Sequence, residues 1–176
     1  MKALSSLFLV FSGFLICSCN EPNKTEISKE IDYQKLKDPL IVANKKYIKK
    51  EDDEIDQYVK RHQWNMNVSG TGIRYMIYKE GKGKPAKIDN YVKVKYKISL
   101  LDGTLCYSSD ELGDKEFLIG QDHVESGLHE ALQYMKVGDK ALFILPSHLA
   151  HGLLGDEKKI PPQSAVLYDI ELLSLR

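Results

Sequence analysis

The sequence predicts an α+β domain in which an antiparallel sheet packs around one short helix. Residues 91–98 place apolar side chains on one strand face and lysines on the other, and residues 166–173 alternate in the same way. Between them, residues 124–135 repeat apolar side chains at spacings of three and four, which is typical of an amphipathic helix. Several alternating segments beside a single helix indicate the α+β class.

Shorter segments complete the predicted sheet. Residues 72–79 alternate in the manner of a strand, while residues 117–120 and 141–145 are short apolar runs. Asp102-Gly103 predicts a tight turn. Pro161-Pro162 lacks two backbone donors, so we expect it in a loop at a sheet edge, immediately before the last strand.

Residues 38–69 form a predicted helical N-terminal extension. Asp38-Pro39 has the residues of a helix start, with a carboxylate N-cap followed by proline. A second helical pattern covers residues 51–64, with acidic residues first and basic residues last. Two interpretations remain open: a dimerisation or docking arm, and a helical hairpin packed on its own domain.

The first residues have the pattern of a bacterial lipoprotein signal. Lys2 precedes an apolar stretch of residues 3–16 that is short for a membrane span. Ile16-Cys17-Ser18-Cys19 resembles a lipobox, which predicts a signal peptide over residues 1–18, lipidation of Cys19 and a flexible tether over residues 19–37. An ordinary cleaved signal peptide is the alternative. A lipidated chain would be anchored to a membrane and would not span it.

Charge and ligand patterns exclude several classes of function. Acidic and basic residues number 25 each and are interleaved, so nothing favours nucleic acid. With Cys17 removed and Cys19 lipidated, only Cys106 would remain, which excludes an internal disulfide. The histidines do not recur with carboxylates or thiolates in a metal-ligand pattern, so we expect no metal and no cofactor.

Ordered motifs give the C-terminal part a family resemblance. They are Gly127-Leu128, residues 135–140, Ala150-His151-Gly152 and residues 159–173. In this order they resemble the FKBP-type peptidyl-prolyl isomerases over residues 70–176. The resemblance implies a curved antiparallel sheet wrapped around one short helix. It also implies a reaction without nucleophile, metal or cofactor, in which an apolar pocket desolvates and twists an Xaa-Pro bond.

Five residues agree with the pocket that the resemblance implies, although one type differs. Tyr96 matches a wall tyrosine, Val124 and Ile160 match an aliphatic rim, and Phe117 matches an aromatic behind the pocket. Tyr168 stands in place of a phenylalanine. The alternative for Tyr96 and Tyr168 is a purely structural role in the core, where strand aromatics usually lie.

Five further pocket positions depart from the family pattern. Cys106 and Tyr107 replace a phenylalanine and an aspartate, so the carboxylate expected there is absent. Glu125 stands where an isoleucine donates its backbone N–H, Leu128 replaces a tryptophan floor, and His151 replaces a tyrosine donor. These changes favour a binding site over a fast catalyst.

We therefore expect an isomerase that assists the folding of proline-containing exported polypeptides. A non-catalytic FKBP-like chaperone or binding module of the cell envelope is the alternative. Gly70-Thr71-Gly72, the Cys106-Tyr107 variation and the lipobox together most resemble the gliding-motility-associated FKBP lipoproteins. The expected location is the periplasm of a Gram-negative-type bacterium, with an outer-membrane anchor at Cys19. A homodimer through the N-terminal extension remains a further hypothesis.

Overall fold

The computed structural model describes residues 33–176, so the predicted signal peptide, Cys19 and most of the predicted tether lie outside the described residues. Within residues 33–176, no helix has the length and apolar character that crossing a membrane requires. The helices are α1 Tyr33–Arg61, α2 Ser109–Leu112 and α3 Ser126–Leu132, with a 3₁₀ turn at Ser147–Leu149. The strands are β1 Asn67–Val68, β2 Arg74–Lys79, β3 Tyr91–Leu100, β4 Leu105–Ser108, β5 Lys115–Leu118, β6 Lys140–Leu145 and β7 Val166–Leu175.

The strands form one seven-stranded sheet, in the order β1-β2-β6-β7-β3-β4, with β5 paired to β3. All of these pairings are antiparallel, and β3 with β7 is the longest, running from Val92 opposite Leu175 to Leu100 opposite Val166. The single antiparallel sheet and its helices confirm the predicted α+β class.

The inner face of the sheet packs against α3. Buried strand residues such as Val94, Phe143 and Tyr168 share one core with Leu128 and Leu132 of the helix. In β7 the buried and partly buried positions alternate from Val166 to Leu173, as the sequence predicts, because successive strand side chains point to opposite faces.

Helix α1 packs on the outer face of the sheet. Ile55 and Tyr58 form a second core with Ile144 of β6 and Ala165. Ile144 follows Phe143, which belongs to the first core, so the two side chains point to opposite faces of the same strand. The C-terminal part of α1 is therefore bound to its own domain.

The prediction of two helices in the extension was wrong. One continuous helix begins at Tyr33, inside the predicted tether, and runs to Arg61 without a hairpin. The charged residues at the junction of the two predicted helices favour helix, and no glycine lies among them. The helix therefore continues through the junction. Pro39 lies inside the helix and not at its start.

Helix α3 is shorter than the predicted 124–135 segment. Glu125 has extended backbone angles, with φ −59° and ψ 137°, so the helix begins only at Ser126. At the other end, the chain leaves the helix in tight turns, because Tyr134 N–H donates to Ala131 O at 3.1 Å. Strand β5 likewise covers Lys115–Leu118 where the sequence predicted residues 117–120.

Candidate functional site

A cavity of about 300 Å³ opens on the inner face of the sheet, beside the start of α3. Its other walls come from Leu112 of α2, from Glu125 and Leu128 at the start of α3, and from the loop of residues 146–165. This loop joins β6 to β7 and is called the pocket loop below. Gly127 lets this loop approach α3, since a Cβ there would lie 2.8 Å from Leu149 O. The strand residues that line the cavity are Val94, Tyr96, Ile98, Tyr107, Lys115, Tyr168 and Ile170.

The structure brings together six of the residues predicted for the pocket. Tyr96 lies half-buried on β3, and burial, followed by the nearby charge of Glu125, raises the pKa of its phenol. Tyr168 faces the cavity from β7 and is only 2% exposed. The six lining residues are Tyr96, Tyr107, Glu125, Leu128, His151 and Tyr168.

Four other predicted pocket residues do not line this cavity. Cys106, Phe117 and Ile160 are buried in the core, and Val124 packs against it. For Cys106 the reason is strand alternation, because Tyr107 is its neighbour on β4 and points to the opposite side. These residues support the cavity wall from behind.

The Cys106 thiol has the surroundings of a structural cysteine. Its Sγ lies 3.6 Å from Lys159 O and 3.7 Å from Thr104 O. Burial, and then the charge of Asp156, raises the pKa of this thiol. The thiolate is therefore disfavoured, which agrees with a small buried side chain and not with a nucleophile.

The sequence reasoning missed one of the two carboxylates that line this cavity. Asp156, in the pocket loop, lines the cavity and accepts a hydrogen bond from the Tyr107 hydroxyl. Its Oδ1 also accepts backbone N–H groups from Lys158 at 2.9 Å and Ile160 at 2.7 Å. A carboxylate is thus present, but it comes from a different element than the one where the sequence analysis found it absent.

The hydrogen bonds to Asp156 change its acidity. Partial burial alone would raise the pKa of its carboxyl group, but the Tyr107 hydroxyl and the backbone N–H groups lower that pKa to about 2. A sequence signal for this loop was available. An aspartate side chain often accepts the backbone N–H of the second residue after it, here Lys158, in an Asx turn.

Three polar side chains meet at the inner end of the cavity. Glu125 Oε1 lies 3.1 Å from His151 Nε2, without the alignment of a hydrogen bond. Burial, followed by the charge of Glu125, raises the pKa of the Tyr168 phenol well above its ordinary value, so its hydroxyl stays protonated. Within residues 33–176, Glu125 Oε2, His151 Nε2 and Tyr168 Oη are buried and make no well-aligned hydrogen bond, although the Glu125 carboxylate lies beside both His151 and Tyr168.

Charged and apolar side chains both contribute to the exposed part of the cavity lining. Lys115 and Lys158 contribute positive charge, and Leu112 is 63% exposed at the edge. Lys159 Nζ lies 5.3 Å from the centre of the Tyr107 ring, within the range of a cation–π contact. The mouth therefore offers both polar and apolar contacts to a bound chain.

Among the described residues, no group of three or more histidine, cysteine or acidic side chains could hold a metal ion. His129 has a structural role, since its Nδ1 accepts the Gly120 N–H at 2.8 Å. The cavity itself is lined by apolar side chains together with hydrogen-bonding and charged groups, a combination that suits an organic ligand.

The sheet, helix α3 on its inner face and this partly apolar cavity define an α+β domain with a candidate ligand site. Residues 82–173, just over half of the chain, match the family model described as FKBP-type peptidyl-prolyl cis-trans isomerase. The chain belongs to this family, which confirms the resemblance seen in its motifs.

Relatives and solved structures agree with this assignment. FkpA of Neisseria meningitidis serogroup B is 34% identical over 111 residues, covering 62% of this chain and 40% of FkpA. Mouse FKBP10 is 38% identical over 96 residues, covering 54% of this chain and 16% of FKBP10. The chain thus spans less than half the length of these curated relatives.

The fold match extends beyond the family segment. The crystal structure of FkpA from Escherichia coli has a TM-score of 0.61 and 28% identity, and covers 86% of this chain and 74% of that one. The structure of AtFKBP13 has a TM-score of 0.62 and 27% identity, and covers 64% of this chain and all of that one.

Proposed function

We propose that the chain is a peptidyl-prolyl cis-trans isomerase whose inner-face cavity binds the proline of an Xaa-Pro segment. The observation that carries this proposal is the position of Tyr96 and Tyr168, which flank a partly apolar cavity within the segment that matches the family. Proline is a compact apolar ring, and aromatic walls suit its burial.

The reaction requires only that the amide be twisted. Rotation about an Xaa-Pro bond has a barrier of about 18–20 kcal/mol and takes tens to hundreds of seconds without a catalyst. A site that binds the twisted amide more tightly than either planar form lowers this barrier. Exclusion of water from the cavity removes the solvation that favours the planar, more polar amide.

Two donors are available for the rotated carbonyl. Among residues 33–176, the backbone N–H of Glu125 donates to no protein acceptor. His151 Nε2, 3.1 Å from Glu125 Oε1, makes no well-aligned hydrogen bond and can donate in the tautomer that carries its proton there. Both groups belong to residues that line the cavity. A hydrogen bond that forms only with the twisted amide would contribute to the rate and not merely to affinity.

The test is the cis–trans exchange rate of Leu-Pro and Phe-Pro peptides, measured by NMR with and without protein. We expect micromolar protein to accelerate exchange, and Tyr96→Ala to reduce that acceleration by about tenfold or more, equivalent to about 1.4 kcal/mol of barrier. Tyr91→Ala is the matched control, because Tyr91 is an exposed tyrosine of the same strand outside the cavity. Full activity in Tyr96→Ala would show that the site assignment is wrong.

A second candidate function is a non-catalytic binding module that holds proline-containing segments. The unpaired polar groups of Glu125, His151 and Tyr168 favour it, because they differ from the purely apolar pocket that desolvation requires. Measurable peptide binding without faster exchange would select this alternative. Faster exchange would exclude it.

We also propose that the protein acts on exported polypeptides as an envelope lipoprotein, anchored at Cys19 in the outer membrane. The proposal rests on the apolar stretch and lipobox of the first residues. Labelling cells with a fatty-acid probe should mark the wild type and not Cys19→Ala. After cell fractionation, the wild type should be found in the membrane fraction and the variant outside it. Equal labelling of both would exclude lipidation at this cysteine.

A homodimer through α1 remains a separate proposal. Leu40 and Val42, on the N-terminal part of the helix, are 60% and 66% exposed, which leaves apolar surface uncovered. The mass in solution of the mature chain should fall from dimer to monomer when both are changed to Lys. A monomeric wild type would contradict it.

A further inference from the structure

Helix α1 contacts the base of the pocket loop from the outer face of the sheet. Glu51 is 5% exposed, and its Oε1 accepts the Ser147 backbone N–H at 2.9 Å. Its Oε2 accepts the Ser147 hydroxyl at 3.1 Å. A buried carboxylate with two hydrogen bonds from one residue fixes that residue firmly, because either oxygen would be costly to leave unpaired.

A second contact from the same helix reaches the other end of the loop. The Tyr47 hydroxyl donates to Gln163 O at 2.8 Å and lies 3.3 Å from Ser147 Oγ. Tyr47 and Glu51 stand four residues apart, so they lie on the same side of α1. One turn of the helix therefore touches both ends of the loop.

Backbone hydrogen bonds join these two ends across the loop. Gly152 N–H donates to Ser147 O at 2.7 Å, and Gln163 N–H donates to Gly152 O at 2.9 Å. Together with the side chains of Glu51 and Tyr47, these bonds form a closed ring, called the loop clamp below. The clamp holds Gly152, whose preceding residue His151 lines the cavity.

The residues between the clamped ends form part of the candidate site. His151, Asp156 and Lys158 line the cavity, and Ile160 packs in the core behind it. Movement of the loop base would therefore displace an unpaired imidazole and the carboxylate that holds Tyr107. A displacement of about 1 Å can cost a large factor in rate when the active geometry depends on it.

We infer that Tyr47 and Glu51 are positioning residues for the isomerase site, and that α1 fixes the geometry of the pocket loop. The inference deepens the proposed function, and its activity readout rests on that function. It goes beyond an arm that merely docks or dimerises, because these two side chains bond to the loop that carries cavity residues.

The chain offers a matched control for simple helix docking. Arg74 of β2 bonds to Asp52 at 2.7 Å and to Asp56 at 2.8 Å, and it is only 5% exposed. These ion pairs also tie α1 to the sheet, but at a strand that does not line the cavity. Loosening the helix at Asp56 should therefore leave the loop clamp in place.

The experiment compares Glu51→Ala, Tyr47→Phe, Glu51→Gln and Asp56→Ala in the chain from residue 20 onward. We expect Glu51→Ala to reduce the acceleration of Leu-Pro exchange by about fivefold to tenfold, since it removes two charge-assisted hydrogen bonds. Tyr47→Phe should have a smaller effect in the same direction. Glu51→Gln should restore most of the activity, because its amide still accepts from Ser147 N–H, and Asp56→Ala should match the wild type.

Hydrogen exchange of the Gly152 and Gln163 amides provides a readout independent of catalysis. We expect both amides to exchange faster in Glu51→Ala and Tyr47→Phe, while β3 amides such as Val94 keep their protection. Unchanged exchange at Gly152 and Gln163 would overturn the inference even if the wild type is an active isomerase. Faster exchange there with an inactive wild type would support the clamp and refute the proposed function instead.

Equal losses of activity in Asp56→Ala and Glu51→Ala would also overturn the inference. That result would show that the site responds to helix docking in general and not to the loop clamp. Failure of Glu51→Gln to restore activity, in a folded protein, would count against hydrogen bonding to Ser147 as the cause.

Discussion

The two faces of the sheet differ in how well their buried polar groups are hydrogen-bonded. On the outer face, Glu51 is paired with Ser147, and Arg74 is paired with two aspartates. On the inner face, three buried polar atoms make no well-aligned hydrogen bond among residues 33–176. They are Glu125 Oε2, His151 Nε2 and Tyr168 Oη.

This difference indicates that the outer face serves mainly stability and that the inner face serves mainly function. An unpaired buried polar group costs about 1–3 kcal/mol, so three such atoms in one place are not favoured by folding alone. Their meeting point is the cavity that we propose as the proline site. The outer face, in contrast, satisfies its polar groups and holds α1 in place. Substitutions on the outer face should therefore affect mainly stability, except at Tyr47 and Glu51, which bond to the pocket loop. Substitutions at the inner cavity should affect mainly binding and catalysis.

The largest expected effect is in the core of the outer face. Ile55 is fully buried between α1 and the sheet, so Ile55→Ala should lower the free energy of unfolding by about 2–5 kcal/mol. Ile48→Ala, at a residue of the same helix that is 36% exposed, should change it by no more than about 0.5 kcal/mol. Urea unfolding measures both values, and equal effects would show that α1 is not packed as described.

A second prediction concerns the pocket loop. Gly155 has φ +70°, and a Cβ there would lie 2.2 Å from Ile160 O, so Gly155→Ala must displace the loop. An alanine in the left-handed region costs about 1–2 kcal/mol. We expect Gly155→Ala to lower the free energy of unfolding by more than this amount and to slow catalysis. Gly152→Ala, at φ +63° with no atom within 4 Å, should cost only that conformational term. Equal unfolding free energies for the two variants would contradict the tight approach at Gly155.

Removing one hydroxyl from each face tests the comparison directly. Ser147→Ala deletes a paired hydroxyl and should destabilise the fold by about 1–2 kcal/mol. Tyr168→Phe deletes an unpaired hydroxyl and should leave the free energy of unfolding unchanged or slightly raised, while it alters peptide affinity. Thermal and urea unfolding measure the difference. A loss in Tyr168→Phe as large as in Ser147→Ala would mean that the Tyr168 hydroxyl is satisfied after all.

The smallest effect is expected from pH. Because the folded-state pKa of Asp156 is lowered to about 2, its ionised form stabilises the pocket loop above about pH 4. This contribution should be lost as the pH falls from about 4 to about 2, where the carboxylate becomes protonated. Hydrogen exchange of the Ile160 amide should report the loss in the wild type and not in Asp156→Asn. An identical pH profile for the two proteins would exclude this role.

Regular strands and the family motifs could be predicted from the sequence. The alternation of buried positions along β3 and β7 is a local property, because the face on which each side chain lies follows from its neighbour. The structure places Tyr96 and Tyr168 in one cavity, as expected. Leu128 and His151 also line it. These positions depend on the pairing of regular elements, which the motif order indicates.

The parts that sequence reasoning missed depend on contacts between distant residues. Asp156 joins the site only through a hydrogen bond from Tyr107, and Glu51 meets the pocket loop only because α1 lies on the outer face. Cys106 and Ile160 were predicted to line the pocket, but they lie behind its wall. The lipid anchor at Cys19, the homodimer and the motility resemblance stay predictions.

The most direct test is an amide NMR titration with a Leu-Pro peptide. We expect shift changes to concentrate on the inner face, at Tyr96, Glu125 and Gly152, with only small changes at the outer-face residues Ile55 and Ile144. Shift changes centred on the outer face, or none at millimolar peptide, would contradict the claim that the inner cavity is the functional site.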